Sequence, residues 1–175
     1  AAKHQSFFDA ILIVSAVPKP KFIMKNSLKY APVLGWFGLR IGCICVERGK
    51  RTQAIKSMVA AVNSGNSPAG QLIIYPQGTR IAPGASAPYK IGTAVLYQET
   101  GQTCIPAATN VGVFWPKYGI LRQPGLAVIE FLPAIQPGLS NELFMHRLEE
   151  VIEQSSNALL EEAATDGFYP VGQDT

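Results

Sequence analysis

Apolar runs with strand or helix spacing alternate along this chain with clusters of turn-forming residues. Residues 7–17 (FFDAILIVSAV) read as a helix that Pro18-Lys19-Pro20 stops. Phe22-Ile23-Met24 is a short strand candidate, and a helix is expected from about Ser27. Residues 40–46 (RIGCICV) are apolar and β-branched enough for a buried strand. Thr52 can cap a helix running to about Asn63, which the turn formers of 64–70 end. Residues 71–75 (QLIIY) form the clearest buried strand, and Pro76-Gln77-Gly78 breaks it. A second loop at 82–88 leads into a helix over 91–100. Residues 104–109 and 126–132 are further strands, and 141–162 is a long amphipathic helix. Helices alternating with short strands predict a single α/β domain over residues 1–163, with an unstructured tail after about residue 164.

Composition narrows this picture only a little. A chain of 175 residues, 47% of them apolar and 15% charged, can bury a core without metals or disulfides. A net charge of +3 is too weak to argue for nucleic acid, and fits anionic small molecules or an anionic membrane surface. Cys43, Cys45 and Cys104 match no zinc or CxxC spacing and read as reduced thiols. The longest apolar run, 10–17, falls well short of the ~20 residues of a spanning helix.

Three stretches carry candidate chemistry. The first is His4-Gln5-Ser6-Phe7-Phe8-Asp9. On one straight helix a five-residue gap turns the two polar side chains about 140° apart. They meet if His4 precedes the helix, with Ser6 as N-cap and Asp9 in the first turn. That spacing is also a capping box, which by itself accounts for Asp9 as a helix-end carboxylate. The second is Tyr75-Pro76-Gln77-Gly78-Thr79-Arg80 at a strand exit, where a glycine permits close ligand approach and an arginine suits phosphate. A plain exit loop with a solvated arginine fits as well. The third is Cys45-Val46-Glu47-Arg48-Gly49, another strand running into charges, read either as a rim ion pair or as a site cation. Lys25, after the strand at 22–24, repeats the theme. Three strand exits deliver Lys25, Arg48 and Arg80, and they make a phosphate pocket only if the sheet order brings them to one edge.

In this order the stretches resemble the glycerolipid acyltransferase family, of the 1-acylglycerol-3-phosphate acyltransferase type. His4 and Asp9 match its first block, Ile44 to Arg48 its second, Tyr75 to Arg80 its third, and Cys104-Ile105-Pro106-Ala107 its fourth. Lys25 holds the place of a family lysine between the first two. One departure stands out: the glutamate of the third block is Gln77 here.

The resemblance implies the family's fold, a mixed and mostly parallel sheet flanked by helices. It implies acyl transfer from acyl-CoA or acyl-carrier protein to the hydroxyl of 1-acylglycerol 3-phosphate, giving phosphatidic acid. His4 is then the general base and Asp9 its partner, while Lys25, Arg48, Gln77, Gly78, Thr79 and Arg80 bind substrate. No metal or cofactor and no nucleic acid is implied. Alternatives are acylation of another lyso-lipid or of glycerol 3-phosphate, and a non-catalytic phospholipid-binding module. Relatives carry apolar helices before the first block, so an upstream membrane-seating segment and a place on the cytoplasmic face of the membrane are expected. The apolar stretches 32–39 and 113–116 read as core, or as a lipid-facing surface or acyl groove.

Overall fold

Parallel strands that share one sheet all end at the same edge, and this fold puts that rule to use. The computed structural model describes residues 1–46, 56, 59, 60, 70–118 and 120–170. Helix α1 (Phe8–Ala16) leads to β1 (Pro20–Lys25), a 3-10 turn (Asn26–Tyr30), α2 (Leu34–Arg40) and β2 (Ile44–Val46). Then follow β3 (Gln71–Ile73), α3 (Gly92–Thr100), β4 (Ala107–Thr109), the single turn α4 (Val111–Phe114), β5 (Ile129–Phe131) and α5 (Asn141–Thr165).

Strands β2, β1 and β3 lie in that order and all run parallel, with Ile23 opposite Ile44 and Phe22 opposite Ile73. Strands β4 and β5 form an antiparallel pair. Residues 1–3 join the two sets. The Ala2 amide donates to the Ile74 carbonyl at 2.9 Å, and the Lys3 amide to the Ala107 carbonyl at 2.9 Å. The Ala107 amide returns a bond to the Ala1 carbonyl at 2.8 Å. The product is the expected mixed, mostly parallel sheet, with this short segment as the seam between its halves.

Helix α5 shows how the layers hold. Ser140 Oγ caps it by accepting the Leu143 amide at 3.2 Å. Phe144, Leu148, Ile152, Leu159 and Ala163 recur at helical spacing and are buried. Phe144 stacks on Tyr97 of α3 with ring centroids 3.9 Å apart. Burying each large side chain of this row contributes roughly 1.5–3 kcal/mol. On the other side of the sheet, Ile13 of α1 packs with Ala2, Ile73 and Ala107.

Several boundaries differ from expectation. The strand expected at 40–46 is shorter, because α2 continues through Arg40 and Gly42, at φ 79°, turns the chain before Ile44. The helix expected from Ser27 is split, since Pro32 lies between the 3-10 turn and α2. The expected strands at 71–75, 104–109 and 126–132 each hold a regular strand of three residues, and Cys104 adds an isolated bridge to Ile135. Beyond the end of α5 at Thr165 the chain still packs, with the Phe168 ring meeting Phe114 edge-on at 5.4 Å. Residues 47–50, with Glu47 and Arg48, and most of the helix expected over 52–63 lie outside the described residues. No helix among the described residues is long and apolar enough to cross a membrane.

Candidate active site

His4 leaves the seam just as the chain turns into α1, and the helix start is built around Asp9. Ser6 Oγ accepts the Phe8 amide at 3.1 Å, and Asp9 Oδ2 accepts the Ser6 and Gln5 amides at 2.8 Å each. This is a reciprocal capping arrangement with Ser6 as cap, since Phe7 already has helical torsions of φ −68° and ψ −30°. One carboxylate oxygen is thereby committed to the backbone. The other, Oδ1, lies 2.9 Å from His4 Nδ1 and accepts the Tyr75 hydroxyl at 3.3 Å. The capping box and the contact with His4 therefore coexist, one for each oxygen.

Asp9 is fully buried, while the His4 side chain keeps 19% of its surface accessible. Every neighbour of the carboxylate is a donor, so Nδ1 of His4 must carry its proton toward Asp9. Nε2 is left as the basic nitrogen. The imidazole is also held from one face, stacked on the Tyr75 ring at 3.9 Å with 16° between planes. Tyr75 stacks in turn near Phe22 of β1 at 6.2 Å. Burial first, and the Asp9 charge second, push the Tyr75 phenol above its ordinary pKa, so it stays a donor.

The turn after β3 meets this histidine through the backbone. The Ile81 amide donates to the His4 carbonyl at 2.8 Å, which brings Arg80 to within one residue of that contact. Arg80 is half-buried and donates from Nη1 to the Lys117 carbonyl at 3.3 Å. Gly78 adopts φ 68°, a conformation that favours glycine, and its amide closes the turn onto the Tyr75 carbonyl at 2.9 Å. A Cβ there would sit 2.5 Å from Lys90 Nζ. Thr79 is exposed. Gln77 is 3% exposed, and neither its Oε1 nor its Nε2 has a hydrogen-bond partner among the described residues.

Of the expected site residues, His4 and Asp9 are in direct contact, and the turn bearing Gln77, Gly78, Thr79 and Arg80 adjoins them. Lys25 is exposed at the end of β1, on the edge where β3 also ends. Lys25 and Arg80 thus both follow parallel neighbouring strands that end at one edge, and Arg48 lies outside the described residues.

Three further residues build the site without having been singled out in the sequence. Tyr75 was legible only as the aromatic of its block, not as the plate under the imidazole. Lys90 is brought to Gly78 by the bond from its own amide to the Pro76 carbonyl at 2.9 Å, and no local pattern announces it. Gln5, buried beside His4, uses Oε1 to accept the Gly112 amide at 2.9 Å and so anchors the segment to α4. A cavity of about 290 Å³, lined by Ile13, Ile73, Leu96 and Cys104 among others, includes none of the expected site residues.

An imidazole aligned in this way, with Nε2 unpartnered among the described residues and its backbone bonded to the turn that bears Arg80, can draw a proton from a hydroxyl. A family model described as Acyltransferase matches residues 1–110. The 1-acyl-sn-glycerol-3-phosphate acyltransferase of Pseudomonas aeruginosa is 27% identical over 134 residues, which cover 77% of this chain and 52% of that protein. The enzyme of the same name from Saccharomyces cerevisiae is 26% identical over 179 residues, 99% of this chain and 58% of that protein. The chain therefore spans little more than half the length of these relatives. Its fold is similar to the crystal structure of the 1-acyl-sn-glycerophosphate acyltransferase from Thermotoga maritima. The TM-score is 0.76 at 24% identity, covering 90% of this chain and 64% of that one.

Proposed function

Because the chain belongs to the acyltransferase family, we propose that it moves a fatty acyl group from a thioester to the free hydroxyl of 1-acylglycerol 3-phosphate, giving phosphatidic acid. The donor is acyl-CoA or an acylated carrier protein. His4 Nε2 takes the hydroxyl proton as the oxygen attacks the thioester carbonyl, and Asp9 steadies the imidazolium that forms. The tetrahedral intermediate collapses with loss of the thiolate, which recovers the proton from His4. No acyl-enzyme, metal or cofactor enters this scheme.

Lys25, Arg48 and Arg80 hold the acceptor phosphate, Gly78 permits its close approach, and Gln77 and Thr79 orient the glycerol. The reaction takes place at the cytoplasmic face of the membrane, where the acceptor resides. The observation that carries the reading is the 2.9 Å contact between His4 Nδ1 and the buried Asp9.

Release of free thiol from acyl-CoA, measured with purified protein, tests it. His4→Ala should lower turnover at least about a hundredfold while leaving the thermal transition in place. Normal turnover in that variant would end the scheme. A phosphate-free lyso-lipid in parallel should be a poor acceptor, and equal rates with it would remove the phosphate clamp from the proposal.

A further inference from the structure

Helix α2 is packed the wrong way round for a helix at a protein surface. Its inner face is Gly35 and Gly38, both buried, whereas Trp36, Phe37 and Leu39 are 62%, 47% and 54% exposed. The glycines are needed where they are. A Cβ at Gly35 would run into the Lys29 carbonyl, and one at Gly38 would sit 3.0 Å from Met24 Sδ. The helix backbone thus lies directly on the 3-10 turn and the end of β1, and its large apolar side chains are turned to solvent. Tyr30 and Val33, at 77% and 81% exposure, extend the same apolar surface.

The charge around it has one sign. Between Ala10 and Val46 the chain carries Lys19, Lys21, Lys25, Lys29 and Arg40 and no Asp or Glu. Two of these cations are placed on the exposed rings. Lys29 Nζ lies 4.8 Å from the centre of the Tyr30 ring, and the Arg40 guanidinium 5.0 Å from that of Trp36. Acidic residues gather elsewhere, on α5, where Glu142, Glu149, Glu150, Glu161 and Glu162 occur. Aromatic rings beside cations, over an outward apolar face, match the boundary between lipid headgroups and acyl chains.

We propose that α2 and the 3-10 turn before it dock on an anionic phospholipid surface, with Trp36 and Phe37 entering the headgroup region and Lys29 and Arg40 pairing with lipid phosphates. This deepens the functional reading above, on which it rests for its purpose alone: β1 ends in Lys25 immediately before the docking segment, so the phosphate-binding edge faces the source of the acceptor. A protein partner would need acidic complementarity to the same cations, and half of this chain's acidic residues sit together on α5.

Binding is measured without turnover, so the two proposals fail separately. In a Trp115→Phe background, Trp36 is the one remaining tryptophan. Its emission should shift to the blue, and be quenched by brominated acyl chains, when vesicles of phosphatidylglycerol are added. Neutral phosphatidylcholine vesicles should do so at least about tenfold more weakly. Trp36→Ala with Phe37→Ala, and separately Lys29→Glu with Arg40→Glu, should each weaken co-sedimentation with anionic vesicles about tenfold or more. Leu143→Ala, at an exposed apolar position on α5, should leave it unchanged. Acyl transfer to acceptor dispersed in detergent should stay at the level of the parent protein in all of these variants.

Trp36 emission that stays water-like at saturating vesicle would overturn the docking surface, whatever the activity. Emission already blue-shifted without lipid, and dependent on protein concentration, would assign the face to a second copy instead. Loss of vesicle binding with intact transfer in detergent is the result expected. Absence of transfer from the parent protein in detergent would overturn the functional reading and leave the vesicle result standing.

Discussion

Asp9 and Gln77 are both buried polar side chains in the segments that build the site, and their surroundings treat them in opposite ways. Asp9 has donors on both oxygens: two backbone amides on one, the His4 imidazole and the Tyr75 hydroxyl on the other. Gln77 offers a donor and an acceptor and has no partner for either among the described residues. An unpartnered buried amide costs about 1–3 kcal/mol, so the fold carries this cost at Gln77 and avoids it at Asp9. One group is organised before any substrate arrives. The other keeps its hydrogen-bonding capacity open within the turn that bears Arg80.

The sharpest way to break this contrast is Asp9→Asn. The amide cannot accept from every one of the present donors, and its own N–H₂ meets groups that also donate. Acyl transfer should fall about a thousandfold or more, with stability lowered by about 1–3 kcal/mol. Thiol-release kinetics beside thermal unfolding check both, and near-normal turnover would mean that the imidazole needs no alignment.

Gln77→Leu tests the other half. If Gln77 contacts the acceptor, transfer should drop about ten- to a hundredfold, mostly through KM. Stability should hold or rise, since an unpaired amide is removed. Lowered stability with unchanged KM would make the residue purely structural. Glutamate at this position, Gln77→Glu, should be worse for folding, because it places an unpaired charge in a buried site.

The smallest effect is expected from Tyr75→Phe, which keeps the ring under His4 and removes one of the donors to Asp9. A few-fold loss of transfer should follow. The pH dependence is more telling. The Tyr75 phenol has a folded pKa above its unfolded value, so the neutral form is favoured in the fold. Its contribution to stability is full below the unfolded value of about 10 and is lost as pH rises above it. Tyr75→Phe should flatten that alkaline decline in Tm, and an unchanged slope would contradict the burial of the hydroxyl.

These residues differ in how far the sequence announces them. The turn at Pro76-Gln77-Gly78 was legible because a strand-breaking proline and a glycine with φ 68° are local requirements. The same holds for Ser6 and Asp9, whose spacing is itself the capping geometry, and for α5, whose apolar row repeats over many turns. The seam at residues 1–3 was not legible. Ala1-Ala2-Lys3 contains no β-branched residue, and it is extended only because Ile74 and Ala107 offer hydrogen bonds on either side. Helix α2 was expected only as part of one helix from Ser27, and its outward-turned face was hidden for a related reason. Its glycines lower helix propensity, and only contact with Lys29 and Met24 shows why they are there. Lys90 folds back onto the turn from the far end of the loop that follows it, which no periodicity could reveal.

The seam has a mechanical consequence. The two strand sets meet at a narrow line of bonds through residues 1–3, and the His4 imidazole projects from the end of that line. Any shear between the halves would leave His4 with Asp9, because they are neighbours on one short segment. It would slide Tyr75 and Arg80 away from them. A molecule strained in this way falls silent through misalignment while most of its secondary structure persists, so loss of turnover should precede loss of helix on warming.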